Sequence, residues 1–185
     1  MTLEKVIGMT AANENGICVN PFNGDLCYTA GCFIVIYSPK ENKQSQHHVV
    51  SRTNRPFQCL TYSNSGKYLA AGESAFKSPE ICVYKFQYDP TDNRVVGVEA
   101  IKFLKGHKFG VEALRFSSDE QLLISLGDPN DRGLFVWDWM QERSISKNKL
   151  SKPVLTLALS DKQDFFVTGG YQHLKYWYFK EDGTP

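Results

Sequence analysis

The sequence predicts an all-β fold assembled from four copies of one unit. Three observations carry that reading. Four stretches share one layout, each stretch closes on an aromatic residue, and no stretch shows a sustained helical period with caps. The layout is a β-rich run, a polar turn, a second run ending in small residues, a loop, and a third run ending in an aromatic. It recurs as NGDLCYTAGCFIVIY, SGKYLAAGESAFKSPEICVY, DEQLLISLGDPNDRGLFVW and KQDFFVTGGYQHLKYW. The closing aromatics are Tyr37, Tyr84, Trp137 and Trp177, spaced 47, 53 and 40 residues apart.

Those spacings bracket the ~40–45 residues of one WD40-type β-propeller blade. In chain order, residues 3–9 (within LEKVIGMT) are expected as an outer strand of a neighbouring or closing blade. Blades then follow at approximately 12–50, 56–105, 107–149 and 153–180. The longest spacing contains QYDPTDNRVVG, whose Pro, Asp, Asn and Gly composition reads as an extended hairpin. In the third blade, Val111, Leu114 and Phe116 begin an inner strand, Leu122–Leu126 form the second, and Leu134–Trp139 the third. After Trp177 too little chain follows to supply a fourth strand to the last blade. The expected architecture is a WD40 β-propeller segment of four blades, a partial or incomplete ring. Unsealed terminal blades expose apolar faces, so an excerpt of a longer protein or self-association through the open propeller ends is expected.

Composition bounds the function. A chain of 185 residues that is 42% hydrophobic and 13% aromatic can bury a core. With a net charge of +1 it lacks the basic excess of a phosphate-tracking domain, so no nucleic acid is expected as partner. Cys18, Cys27, Cys32, Cys59 and Cys82 form no CxxC pair and are read as small hydrophobes of a reducing compartment. No secretory signal and no membrane-spanning run are present, which points to a soluble, cytoplasmic protein with no membrane partner.

The third unit, FLKGHKFGVEALRFSSDEQLLISLGDPNDRGLFVWDW, resembles a WD40 repeat, including Gly106-His107 and Trp137-Asp138. The resemblance implies a side-chain hydrogen-bond network through His107, Ser125, Asp131 and Trp137. Such a chain satisfies a buried indole N–H. The other units depart from the pattern. The fourth keeps Thr168 and Trp177 but has Tyr171 at the Asp position and no Gly-His. The second has Ser78 there and the first Gly31. These three are expected to lack the network and to rest on apolar contacts.

TLEKVIGMT, AGCFIVIYSPKENKQ, GKYLAAGES, GHKFGV, SKNKLS and FFVTGGYQHLKYWYF resemble the first blades of the MAP-kinase-binding (JNK-binding) WD-repeat scaffold family, whose paralogue is a spindle-pole protein linked to microcephaly. EALRFSSDEQLLISLGDPNDRGLFVWD also resembles cilia- and flagella-associated WD-repeat proteins. Together they imply a non-catalytic protein–protein interaction scaffold at the centrosome, spindle pole or basal body, organising signalling kinases or cytoskeletal components. The alternative is a cilia-, flagella- or microtubule-associated structural protein. In the first family the kinase-docking segment lies beyond the propellers, so no residue here is assigned to kinase binding.

Sharper readings yield to plainer ones. His107, Asp131 and Ser125 belong to the repeat's structural network and make no catalytic triad. His47 and His48 are adjacent on an expected outer strand and point to opposite faces. GESAF and TGGYQ lack the spacing of a phosphate loop, and neither Thr91–Asn93 nor Asp128–Asp131 matches a Ca²⁺ loop. The lysines at 102, 105 and 108 and those at 147, 149 and 152 read as solvated edges. Only Glu112 and Arg115 are ionisable in the inner strands VEALRF, FQCLTYS and VLTLALS, which is thin support for a propeller enzyme. No catalytic residue, cofactor or metal is expected. The candidate partner-binding face comprises Asn54, Arg55, Lys108, Phe109, Asn130, Arg132 and Lys152, on loops that the resemblance places at one end of the blades.

Overall fold

The computed structural model describes residues 5–45, 47–162 and 164–179. They form four antiparallel sheets arranged as the blades of a β-propeller. The first holds β1 (Ile17–Val19), β2 (Leu26–Ala30), β3 (Phe33–Ser38), β4 (Lys43–Gln44) and β5 (Val49–Val50), the last two both pairing with β3. The second runs in order through β6 (Phe57–Tyr62), β7 (Tyr68–Glu73), β8 (Glu80–Tyr88) and β9 (Val95–Lys105). The third holds β10 (Val111–Phe116), β11 (Leu122–Gly127), β12 (Gly133–Asp138) and β13 (Arg143–Lys149). In the fourth, β14 (Thr156–Leu159), β15 (Phe165–Gly170) and β16 (His173–Tyr178) are described.

Register explains why the four closing aromatics recur. Tyr37, Tyr84, Trp137 and Trp177 pair with Leu26, Leu69, Leu123 and Phe166, each the first or second residue of its sheet's second strand. The turn before that strand is closed identically in every blade. The backbone N–H groups of Asn20, Ser63, Ser117 and Ser160 donate to the carbonyls of Asp25, Tyr68, Leu122 and Phe165. Because side chains alternate with period two, that shared register aims Tyr84, Trp137 and Trp177 at the preceding blade.

Three apolar interfaces hold the sheets in sequence. Cys27, Ile34 and Ile36 pack against Leu60, Tyr62, Leu69 and Phe86 between the first two sheets. Cys59, Ala70, Ile81 and Val83 meet Leu114, Leu123, Phe135 and Trp137 at the next. Ile124, Leu126 and Val136 meet Leu157, Phe166 and Trp177 at the last. Each fully buried Leu or Ile contributes roughly 1.5–3 kcal/mol relative to exposure. Cys18, Cys27, Cys59 and Cys82 lie in strands, and burial pushes the Cys27 thiol up to about 12, so it stays a protonated, apolar packing group.

Of residues 3–9, expected as an outer strand, 3 and 4 lie outside the described residues and 5–9 form no strand. The amide side chain of Gln44 instead brackets Val6, accepting from its N–H at 3.0 Å and donating to its carbonyl at 2.6 Å. Thr10 N–H then donates to the Thr29 carbonyl. His47 and His48 lie in the link between β4 and β5 rather than on a strand. At the axis, a 3-10 turn (Glu14–Gly16) reaches across the arc. The Asn13 amide donates to Glu112 Oε1 at 2.8 Å, and Gln58 donates to the other oxygen at 2.6 Å. The far face of the fourth sheet leaves Leu174, Tyr176 and Tyr178 exposed.

Candidate partner-binding face

An antiparallel blade brings the loop leading into its first strand and the loop joining its second and third strands to the same end. Both kinds of loop depend on polar groups buried beneath them. In the third blade, the Trp137 indole N–H donates to Ser125 Oγ at 2.8 Å, and Ser125 Oγ lies 2.8 Å from His107 Nε2. His107 Nδ1 bonds Asp131 Oδ2. The indole N–H thus has the hydroxyl as its acceptor, and the imidazole links that hydroxyl to the carboxylate. Phe135 stacks on Trp137 at 5.1 Å and meets the His107 ring edge-on at 4.5 Å. A Cβ on Gly106 would lie 2.8 Å from the indole, which explains the glycine before the histidine.

The network then fixes the loop above it. Asp131 Oδ1 accepts the Lys108 N–H at 3.2 Å. Burial alone would raise the Asp131 carboxyl, but the hydrogen bond and charge of His107 and the Lys108 N–H outweigh it and hold it below its usual value.

Two of the three divergent blades carry polar networks of their own, correcting the expectation that they rest on apolar contacts. In the second, Glu73 stands in the register position of Gly127: Phe57 pairs with Glu73 as Val111 pairs with Gly127. A Cβ on Gly127 would run into Asp131 Oδ2, so a side chain starting there is aimed where the third blade keeps its carboxylate. Glu73 is fully buried and accepts from Ser51 Oγ at 3.0 Å, from Thr53 Oγ1 and from Glu80 N–H at 3.0 Å, with Arg55 Nη1 at 3.8 Å. Thr53 precedes β6 by the same four residues that separate His107 from β10. Ser78, expected at the acid's position, is instead a left-handed turn residue (φ 48°).

In the fourth blade, Trp177 N–H donates to Thr168 Oγ1 at 2.9 Å, and His173 Nε2 lies 2.9 Å from the same hydroxyl. The imidazole comes from the start of β16 rather than from the leading loop. Phe166 stacks on Trp177 at 5.9 Å, and Lys175 Nζ sits 3.8 Å from its centroid. The first blade does follow expectation. Tyr28 stands at the hydroxyl position, and Tyr37 OH turns away to Asn42 at 2.5 Å.

The seven candidate face residues all fall on these loops. Arg55 Nη1 donates to the Ser78 carbonyl at 2.8 Å, and the Lys108 carbonyl accepts from Ser78 N–H at 3.2 Å. Three loops are thereby joined. Arg132 donates to Pro129 O and Ser151 O, and Lys152 Nζ to Gln172 O at 3.2 Å. Asn54 and Asn130 are exposed turn residues, and Phe109 is half-buried. Phe76, 91% exposed on the 74–79 loop, and the adjacent Lys77 were not among the candidates. The apolar residue inside the polar turn GESAFKSPE was the available signal. Of the lysines read as solvated, Lys102 pairs with Glu142 at 3.2 Å and Lys105 with Glu80 at 3.0 Å.

The family model for the WD domain, G-beta repeat, matches residues 98–138. Over 180 residues, 97% of the chain, the sequence is 34% identical to WD repeat-containing protein 62 of Mus musculus. Over 184 residues, 100% of the chain, it is 32% identical to mitogen-activated protein kinase-binding protein 1 of Mus musculus. The chain spans 11% of the length of each. It is also 28% identical over 182 residues, 96% of the chain, to cilia- and flagella-associated protein 52 of Sus scrofa, spanning 28% of it.

Asp131→Asn is expected to cost about 1–3 kcal/mol in urea unfolding. The unfolded aspartate titrates near 3.8 and the folded one below it, so the stabilisation is complete above that value and is lost as pH falls through the folded pKa. Urea midpoints measured from pH 7 down should therefore show a shallower acid limb in the variant. Thr168→Val leaves the Trp177 N–H without its acceptor and is expected to cost about 1–2 kcal/mol. An unchanged melting curve would contradict that role for the fourth-blade network.

Proposed function

The chain belongs to the WD40 repeat family, and from that premise we propose a non-catalytic scaffold whose loop-bearing end holds other proteins. The observation that carries this is the joining of loops from different blades at that end. Arg55, Ser78 and Lys108 are linked backbone to backbone and side chain, over buried networks that hold the loops in place. A preformed surface binds without a large ordering cost. The names of the relatives support partners from a kinase pathway or from cilia and flagella, and a cytoplasmic location at the centrosome, spindle pole or basal body is part of this proposal. A structural protein associated with cilia, flagella or microtubules is the alternative within the same class. Both Glu112 oxygens accept amide hydrogen bonds from Asn13 and Gln58, which supports a bracing role at the axis over the enzyme reading. Nucleic-acid binding is disfavoured by the near-neutral total charge.

Biotin-ligase labelling around the full-length protein in cells is expected to mark centrosomal, basal-body or kinase-pathway proteins. Combined Arg132→Glu and Lys152→Glu should reduce that set. Labelling confined to secreted or ribosomal proteins would overturn the proposal.

Self-association through the open ends is a second reading, favoured by the exposed strip of Leu174, Tyr176 and Tyr178. Light scattering after size exclusion should show mass rising with concentration, and Tyr176→Lys should suppress the rise. A monomer at all concentrations would sink it.

A further inference from the structure

Resting on the assignment of the loop-bearing end as the partner face, we infer that its partner presents an acidic protein segment carrying one apolar side chain. Phe76 receives that side chain, with Lys77, Arg55 and Lys108 around it.

The first argument is how charge is sorted. The whole chain is +1, yet its two ends differ. At the loop-bearing end Lys77, Lys108, Arg132 and Lys152 are exposed and Arg55 is partly so. Apart from the exposed Glu14 and the half-buried Asp128, the carboxylates of that end are spent inward. Glu73 is fully buried among Ser51, Thr53 and the Glu80 N–H. Asp131 is committed to His107, and Glu80 is buried between Arg52 at 2.6 Å and Lys105 at 3.0 Å. Asp128 accepts the N–H groups of Asn130 and Asp131 within its own turn. The opposite end, made of the tight turns, holds Glu41, Asp92, Glu142, Asp161 and Asp164, interleaved with cations that several of them pair. The blades thus present a cationic end and a mixed one, a field that steers and orients an anionic partner.

The second argument is Phe76. A single exposed apolar residue is ordinary, but this one sits on a loop tied at both ends. Ser74 N–H donates to the Pro56 carbonyl at 2.8 Å, and Ser78 is held by Lys108 and Arg55. The ring therefore projects from an anchored loop beside Lys77, and the loop's base abuts the Arg55 and Lys108 segments. An aromatic anchor with cations around it complements an apolar side chain flanked by carboxylates. A nucleic-acid strand could stack a base on Phe76, but it needs a continuous cationic track, and carboxylates line the tight-turn end of the same arc.

The test is fluorescence polarisation of the full protein with a fluorescein-labelled peptide of Asp and Glu residues around one Leu. A Lys-substituted counterpart and a single-stranded oligothymidine serve as the other arms. Saturable binding to the acidic peptide alone is expected, weakening with salt. Lys77→Glu with Lys108→Glu should raise Kd about tenfold or more, and Phe76→Ala by about fivefold, with unchanged thermal unfolding. Equal binding of the Lys counterpart, tighter binding of oligothymidine, or indifference to all three substitutions would overturn the inference. If cellular labelling marks the expected set and loses it with Arg132→Glu and Lys152→Glu while the acidic peptide does not bind, this inference falls and the scaffold proposal stands.

Discussion

A buried polar group needs a partner, and in this arc that requirement governs both the sheets and the loops above them. Where a closing tryptophan donates inward, a hydroxyl must stand opposite and pass the demand on. In the third blade the chain of demand ends at Asp131, which in turn secures the backbone of Lys108. Framework and candidate face are therefore one construction. An unsatisfied indole would cost about 1–3 kcal/mol, a large share of the margin of a single domain.

Two of the three divergent blades meet the same requirement by other chemistry, whereas the first leaves the buried Thr29 hydroxyl without a partner among the described residues. A carboxylate can be delivered by a loop, as Asp131 is, or by the end of the second strand, as Glu73 is. An imidazole can come from the leading loop, as His107 does, or from the third strand, as His173 does. The first blade, with Tyr28 in place of the hydroxyl, relies on apolar contact and on Cys27 against Tyr62 OH. Motif degeneracy here reflects relocated donors and acceptors in two blades out of the three that diverge. Those relocations bury Glu73 and leave nearby cations facing outward, so the same substitutions shape the surface.

Much of the fold was legible because its signals are local. Period-two alternation, turn residues and recurring aromatics lie within a few residues of one another, and all four closing aromatics occupy one register. The third-blade network was legible through Gly-His and Trp-Asp at fixed spacing. Glu73 was not, since a glutamate at a strand end reads as surface charge until Phe57 is seen opposite it. His173 was hidden in the same way, as a lone histidine beginning a strand. Residues 5–9 misled for the opposite reason. Their apolar content reads as strand, yet the Gln44 amide holds Val6 outside any sheet.

By itself, then, the sequence determined the number of blades and the closing aromatic of each, because these follow from short-range pattern, and its resemblance to a WD40 repeat implied the full network of one. Only the tertiary structure decided which groups replace that network elsewhere, which carboxylates are buried, and that the loop carrying Phe76 is tied to the Arg55 and Lys108 segments. Those outcomes depend on cross-strand register and on contacts between loops of different blades. Residues such as Arg55, Ser78 and Lys108, far apart along the chain, become neighbours only once the sheets have stacked.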